Sequence, residues 1–361
     1  MAELTHPVAV SGETVIDALE RQAASCAHIG SPLYASLLTG LTADHLSGGL
    51  TAELLEGVSD RPIHDAVPLR YLATAHRLAL HGEAPELAVH YPSCGGAWAG
   101  RDITDDYLSV VAKHRGEFVR GLQRNVQTNE VGRAAVLAAG FALVAARSGL
   151  PLRTFELGGS AGLLSHWDRF AYDTGATTVG DPGSPLRFGP EWYAVAPSLQ
   201  ADVHVVSRAS VDVSPIDVGT DAGRLSMLSF VWPDQHERFV RLDTAIEIAR
   251  RHPLHVEAAD AGDWLTERLA PDAPDGVASV VFHSIVWQYL PPATRDAIRE
   301  ALASAGARAD PDRPLSWLRM EPATREHADL RLTTWSGEEP HEELLAHVGY
   351  HGADVTWLAP A

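Results

Sequence analysis

From Thr14 to Gly149 the apolar positions recur with helical spacing. Val15, Leu19, Ala23 and Ala27 fall on one helix face, and Leu33, Leu37, Leu38 and Leu41 on another. Further helices are predicted over residues 67–80 and 105–122, with the turn-rich Tyr91-Pro92-Ser93-Cys94-Gly95-Gly96 between them. A last, strongly apolar helix ends near Arg147. No strand pattern precedes residue 150. After Pro151 the period changes, and short β-type runs alternate with helices. The runs are Leu152–Leu157, Val203–Val211, Leu254–Ala259, Val277–His283, Leu315–Met320, Leu330–Trp335 and Val355–Leu358. The helices are Leu163–Tyr172, His236–Arg251, Trp264–Leu269, Pro292–Ser304 and Pro340–His347. Such alternation predicts an α/β fold with a mostly parallel sheet of seven strands, covered by helices on both faces. The chain is expected to divide into an all-helical domain over 1–150, serving as substrate domain or lid, and a sheet domain over 151–361.

Composition narrows the class. With 361 residues, 45% hydrophobic and 21% charged, the chain has ample material for a core. A net charge of −19, with no stripe of basic residues, argues against nucleic acid and against anionic membranes as partners. The longest apolar run, residues 134–146, falls short of the ~20 residues of a membrane span. Two isolated cysteines, Cys26 and Cys94, and an N-terminus without a basic–apolar leader point to a cytoplasmic protein. The sequence leaves the oligomeric state open.

The chemistry concentrates in a few segments. Glu156-Leu157-Gly158-Gly159-Ser160-Ala161-Gly162-Leu163 ends an apolar strand in an acid and follows it with small residues, as needed where a ligand approaches backbone. Asp212, at the end of the second strand, is positioned to grip ribose hydroxyls. It lies well beyond the ~20 residues usual for such an acid, and the excess, which carries Gly180-Asp181-Pro182 and Trp192, reads as an insertion. Asp260, after the third strand, suits an adenine amine, with Asp263 as helix cap. His283, ending the fourth strand, is placed to take a proton from a substrate. Gln127, Asn129, Glu130 and Arg133 open a helix that returns into the first strand, which sets them beside the glycine loop. Asn129 joins Glu156, Gly158, Gly159, Ser160, Gly162, Asp212 and Asp260 as the expected cofactor contacts, and Glu130 and Arg133 join His283 as the expected catalytic set. The pairs His76/His81, His252/His255 and His347/His351 reproduce no metal-ligand pattern, apart from generic helical spacing in the last pair, so no metal is expected.

The Glu-x-Gly-x-x-x-Gly spacing resembles motif I of class I S-adenosylmethionine-dependent methyltransferases more than the dinucleotide Gly-x-Gly-x-x-Gly. That resemblance implies a Rossmann-like sheet, S-adenosylmethionine as cofactor and a small-molecule substrate. The alternative is a protein of the same fold that binds the cofactor or another nucleotide without transferring methyl, as a different enzyme or a sensor. As a set, Ser31-Pro32-Leu33-Tyr34, Gln127 to Arg133, Glu156 to Leu163, Gly180-Asp181-Pro182, Val231-Trp232-Pro233-Asp234-Gln235 and Phe282-His283-Ser284 resemble the bacterial domain-of-unknown-function family 2332, from about residue 20 to the end. This second resemblance implies no particular activity.

Overall fold

A computed structural model describes residues 13–197 and 203–359. It has two compact units: one runs to Thr128 and takes in Leu225–Phe239, and the other comprises Asn129–Arg224 and Val240 onward. The division therefore falls at residue 128 rather than 150, and a short later segment returns to the helical unit.

The helical unit contains α1 (Val15–Ile29), α2 (Pro32–Leu46), α3 (Leu50–Leu55), α4 (Val67–Leu80), α5 (Pro85–Ala88), α6 (Thr104–Lys113) and α7 (Arg115–Leu122). Thr14 and Asp17 form a reciprocal cap at the start of α1, satisfying backbone donors that the first turn leaves open. The helix expected over 105–122 breaks at His114 (φ −114°, ψ 27°). A buried aromatic cluster of Tyr34, Tyr71, Tyr91, Tyr107 and Phe118 forms the core, and Trp232 of the returning segment packs into it. That segment is also tied by polar bonds. Asp234 accepts from the Ser31 hydroxyl (2.6 Å) and the Leu33 amide (3.0 Å), which caps α2. His76 bonds the Ser229 carbonyl (3.1 Å) and the Ser93 hydroxyl (2.7 Å). Burial depresses the His76 pKa to about 4, which keeps this bridge neutral. Two segments quoted above for their resemblance, around Ser31 and around Asp234, are thus partners in one structural joint.

The second unit opens with α8 (Ala134–Ser148) and β1 (Leu152–Leu157). The expected insertion follows as β2 (Ala171–Asp173), β3 (Thr178–Gly180), β4 (Arg187–Phe188) and β5 (Tyr193–Val195). Then come β6 (Val205–Asp212), α9 (Asp221–Ser229), α10 (His236–Arg251), β7 (Val256–Ala258), α11 (Ala261–Leu269), β8 (Ala278–Ser284) and α12 (Pro292–Gly306). The chain closes with β9 (Leu315–Pro322), β10 (Ala328–Trp335), β11 (His341–Val348) and β12 (Val355–Trp357). The fold is mixed α/β with a large, mostly parallel sheet. Its order is β5-β12-β11-β10-β9-β8-β1-β6-β7, with a separate three-stranded sheet β3-β2-β4. Among the described residues the large sheet has nine strands in place of the expected seven. One addition is β5, supplied by the insertion. The other is β11, where a helix was expected at Pro340–His347; antiparallel pairing with β10 overrides the helix preference of its Glu, Leu and Ala residues. The helix expected over Leu163–Tyr172 reduces to a 3₁₀ segment, Leu164–Arg169.

Strand alternation sorts the sheet into two faces. Glu156, Phe282 and Leu318 lie in register toward α8, where Phe141 meets Phe282 edge-on (5.1 Å). Phe155, Val281 and Trp317 face the other way, toward α11 and α12. By length and composition Val131–Ser148 is apolar enough to cross a bilayer, but most of it is buried within the protein.

Candidate functional site

The parallel strands β7-β6-β1-β8-β9 stand in the order of a doubly wound sheet, with chain direction of travel reversing between β1 and β8. Ligands of such sheets bind outside the strand carboxyl ends at that reversal. Here those ends carry the glycine loop and the turn after His283.

The loop is braced from within. Gly158 (φ 68°) and Gly162 (φ 70°) adopt left-handed conformations, as does Ser160 (φ 53°). A Cβ at Gly158 would lie 2.4 Å from Val286, and one at Gly159 would lie 2.0 Å from the Ser210 hydroxyl. Asn129 clamps both sides of the loop: its amide donates to Gly159 O (3.1 Å) and its carbonyl accepts from Leu163 N (3.0 Å). Asp212 accepts from the Ser160 amide (2.9 Å) and the Ser214 amide (2.9 Å). Gly159 N donates to Val211 O (3.0 Å), and Gly162 N to Gly159 O (2.7 Å). Beneath lies Glu156, fully enclosed, accepting from Ser165 (2.5 Å) and Ser210 (3.3 Å). Burial pushes its pKa up to about 7; the two hydroxyls oppose the rise and the Asp212 charge adds to it.

The remaining expected residues distribute as follows. Glu130 accepts from Gly132 N (3.1 Å) at the turn before α8. Arg133 donates to Ser284 O (3.1 Å) and Tyr350 O (3.1 Å), tying that turn to the end of β8. Asp260 caps α11 through the amides of Gly262 (2.8 Å) and Asp263 (3.3 Å), while its other oxygen takes the Thr294 hydroxyl (2.6 Å). The cap expected at Asp263 is therefore Asp260 itself. Asn129, Glu156, the glycines, Ser160 and Asp212 come together. His283 does not join them: alternation along β8 turns it to the α12 face, with Val281.

There His283 meets a partner that sequence reasoning missed. Its Nδ1 lies 2.7 Å from Glu321 Oε1 at the end of β9, and the same oxygen accepts from the amides of Val286 (3.1 Å) and Trp287 (3.3 Å). An ionised carboxylate only accepts, so the imidazole donates from Nδ1, and in its neutral form it presents a lone pair at Nε2. The ring stacks on Trp287 (5.4 Å, 13° between planes) and lies 5.8 Å from Trp317. Among the described residues, three buried polar atoms in this cluster have no hydrogen-bond partner: His283 Nε2, Glu321 Oε2 and Trp317 Nε1. The connecting turn is strained, because Ile285 holds φ 51°, a conformation β-branched residues rarely adopt. Glu321 had one sequence signal. Arg319 and Glu321 alternate with Leu318 and Met320, placing charge on one face of an otherwise apolar strand.

No curated protein and no solved structure matches the chain. A family model described as "Uncharacterized protein conserved in bacteria (DUF2332)" matches residues 16–357. The chain is a member of the bacterial DUF2332 family.

Proposed function

We propose that the chain is a small-molecule methyltransferase using S-adenosylmethionine, with His283 as general base and Glu321 as the group that positions it. The observation that carries the reading is the His283–Glu321 pair. A carboxylate that fixes one imidazole nitrogen and stabilises the cation formed at the other is a recurrent device for accepting a proton from a nucleophile. The loop supports the cofactor class by what it lacks. The amides of Gly159, Ser160, Gly162 and Leu163 are all engaged within the protein, which disfavours a pyrophosphate that needs such donors. S-adenosylmethionine carries no phosphate. Asp212 still has acceptor capacity for ribose hydroxyls beyond its two amides. Asp260, committed to Gly262, Asp263 and Thr294, is a poor adenine contact, so the fit is better at the ribose than at the base.

When bound, the cofactor supplies an electrophilic methyl group. The protein's own part is to orient the substrate nucleophile and accept its proton at His283 Nε2, while Glu321 offsets the imidazolium charge. Since Nε2 is enclosed beside Trp287, substrate access requires the turn at 285–289 to shift. That enclosure also favours the second reading, a protein that holds the cofactor without methyl transfer.

Calorimetric titration with S-adenosylmethionine, S-adenosylhomocysteine and NAD tests the proposal. Micromolar binding of the first two, without NAD, is the expected result. His283→Ala should leave that binding intact and lower turnover about 10²–10⁴-fold. Absence of binding removes the methyltransferase reading, and binding with turnover indifferent to His283→Ala removes the base.

A further inference from the structure

The β10–β11 hairpin gathers three side chains that the sequence keeps apart. Asp329 is the register partner of His347, and His327 immediately precedes β10, two residues before Asp329. His347 Nδ1 lies 2.9 Å from Asp329 Oδ1, and His327 Nε2 lies 3.6 Å from that same oxygen. The imidazole centroids are 4.5 Å apart, and one ligand atom from each of the three residues falls within 4.8 Å of the other two.

We propose that His327, Asp329 and His347 bind a divalent first-row transition metal ion. Two imidazole nitrogens and one carboxylate oxygen are a donor set suited to such ions, and three protein ligands leave coordination positions open. A small rearrangement of the three side chains would bring the donors to bonds of roughly 2.0–2.2 Å. The surroundings already do what outer groups do at metal sites. Thr324 Oγ1 engages His327 Nδ1 at 3.0 Å, which turns Nε2 toward Asp329. Arg331 holds Asp329 Oδ2 at 2.8 Å, which leaves Oδ1 to face both histidines. Its own charge is shared with Glu342, 3.4 Å away. The row continues to Glu321, the register partner of Asp329 on β9, so the ion would lie near the carboxylate that holds His283. The inference does not depend on methyl transfer.

The test is titration of the chelator-stripped full chain with Co²⁺, followed by its visible d–d absorption, and with Zn²⁺ by competition, with stoichiometry read by native mass spectrometry. One saturable equivalent is expected, with Zn²⁺ displacing Co²⁺. In the unmodified protein Co²⁺ should shift the imidazole NMR signals of His327 and His347 before those of other histidines, a readout that needs no variant. His327→Ala and His347→Ala should each abolish the equivalent, and Thr324→Ala should weaken it about 10–100-fold, with circular-dichroism melts of the metal-free variants as folding control. The site is overturned if neither ion binds at one equivalent, if other histidines respond first, or if folded His327→Ala/His347→Ala protein binds as tightly as the parent.

Discussion

Glu156 holds a carboxyl group where charge is costly. Between the ordinary value of 4.5 and its raised value near 7 the folded chain keeps a proton that the unfolded chain has lost. Folding stability from this group is therefore greatest below pH 4.5 and falls as pH rises to 7, by about 3 kcal/mol in all. Glu156→Gln should remove that downward component from a series of urea melts across the range; an unchanged pH dependence would place the carboxyl in a more polar setting than described. At this scale the chemistry was partly legible. Glu156, the glycines and Asp212 announce a strand-to-helix turn because local spacing encodes it. Their roles were less legible: Gly158 and Gly159 are small because Val286 and Ser210 crowd them, contacts made across long sequence separations. Glu321 and the trio His327, Asp329 and His347 depend on strand register, which only the folded sheet defines.

Among elements, the turn after β11 meets the turn before α8 backbone to backbone. A Cβ at Gly352 would stand 2.2 Å from the carbonyl of Gly132, and its φ is +92°. Gly352→Ala combines a left-handed conformation with overpacking and should cost about 3 kcal/mol or more, read as a lowered thermal midpoint. A neutral result would mean that the two turns separate freely. A central strand such as β8 was readable because burial on both faces shows up as an apolar run, Ala278–Ser284. Two strands of the other half, β5 and β11, were not. β11 is half exposed and rich in helix-forming Glu and Leu, so only pairing with β10 decides its conformation. The three-residue β5 offers no periodicity at all.

At the level of the whole molecule, the helical unit is completed by residues far along the chain. Trp232 fills its core, Asp234 caps α2, and the Ser229 carbonyl receives buried His76. A fragment ending at Thr128 should therefore lack a cooperative thermal transition by circular dichroism, and adding residues 225–239 through a flexible linker should restore one. A cooperative transition in the fragment alone would show the joint to be dispensable. The all-helical character of this unit was visible from its periodicity. Its discontinuity was not, since nothing in the spacing around Trp232 distinguishes a returning segment from a loop of the sheet unit.

That discontinuity sets a timetable for the newborn chain. The first unit leaves the ribosome with its tyrosine-rich interior one segment short, and residues 129–224 must be made before the missing piece emerges. At 5–20 residues per second the wait is roughly 5–20 s. During it the unfilled place for Trp232 stays open to water and to other nascent chains. Slow translation through residues 129–224 lengthens that exposure, so synonymous rare codons there should lower the soluble yield of a protein whose amino-acid sequence is unchanged.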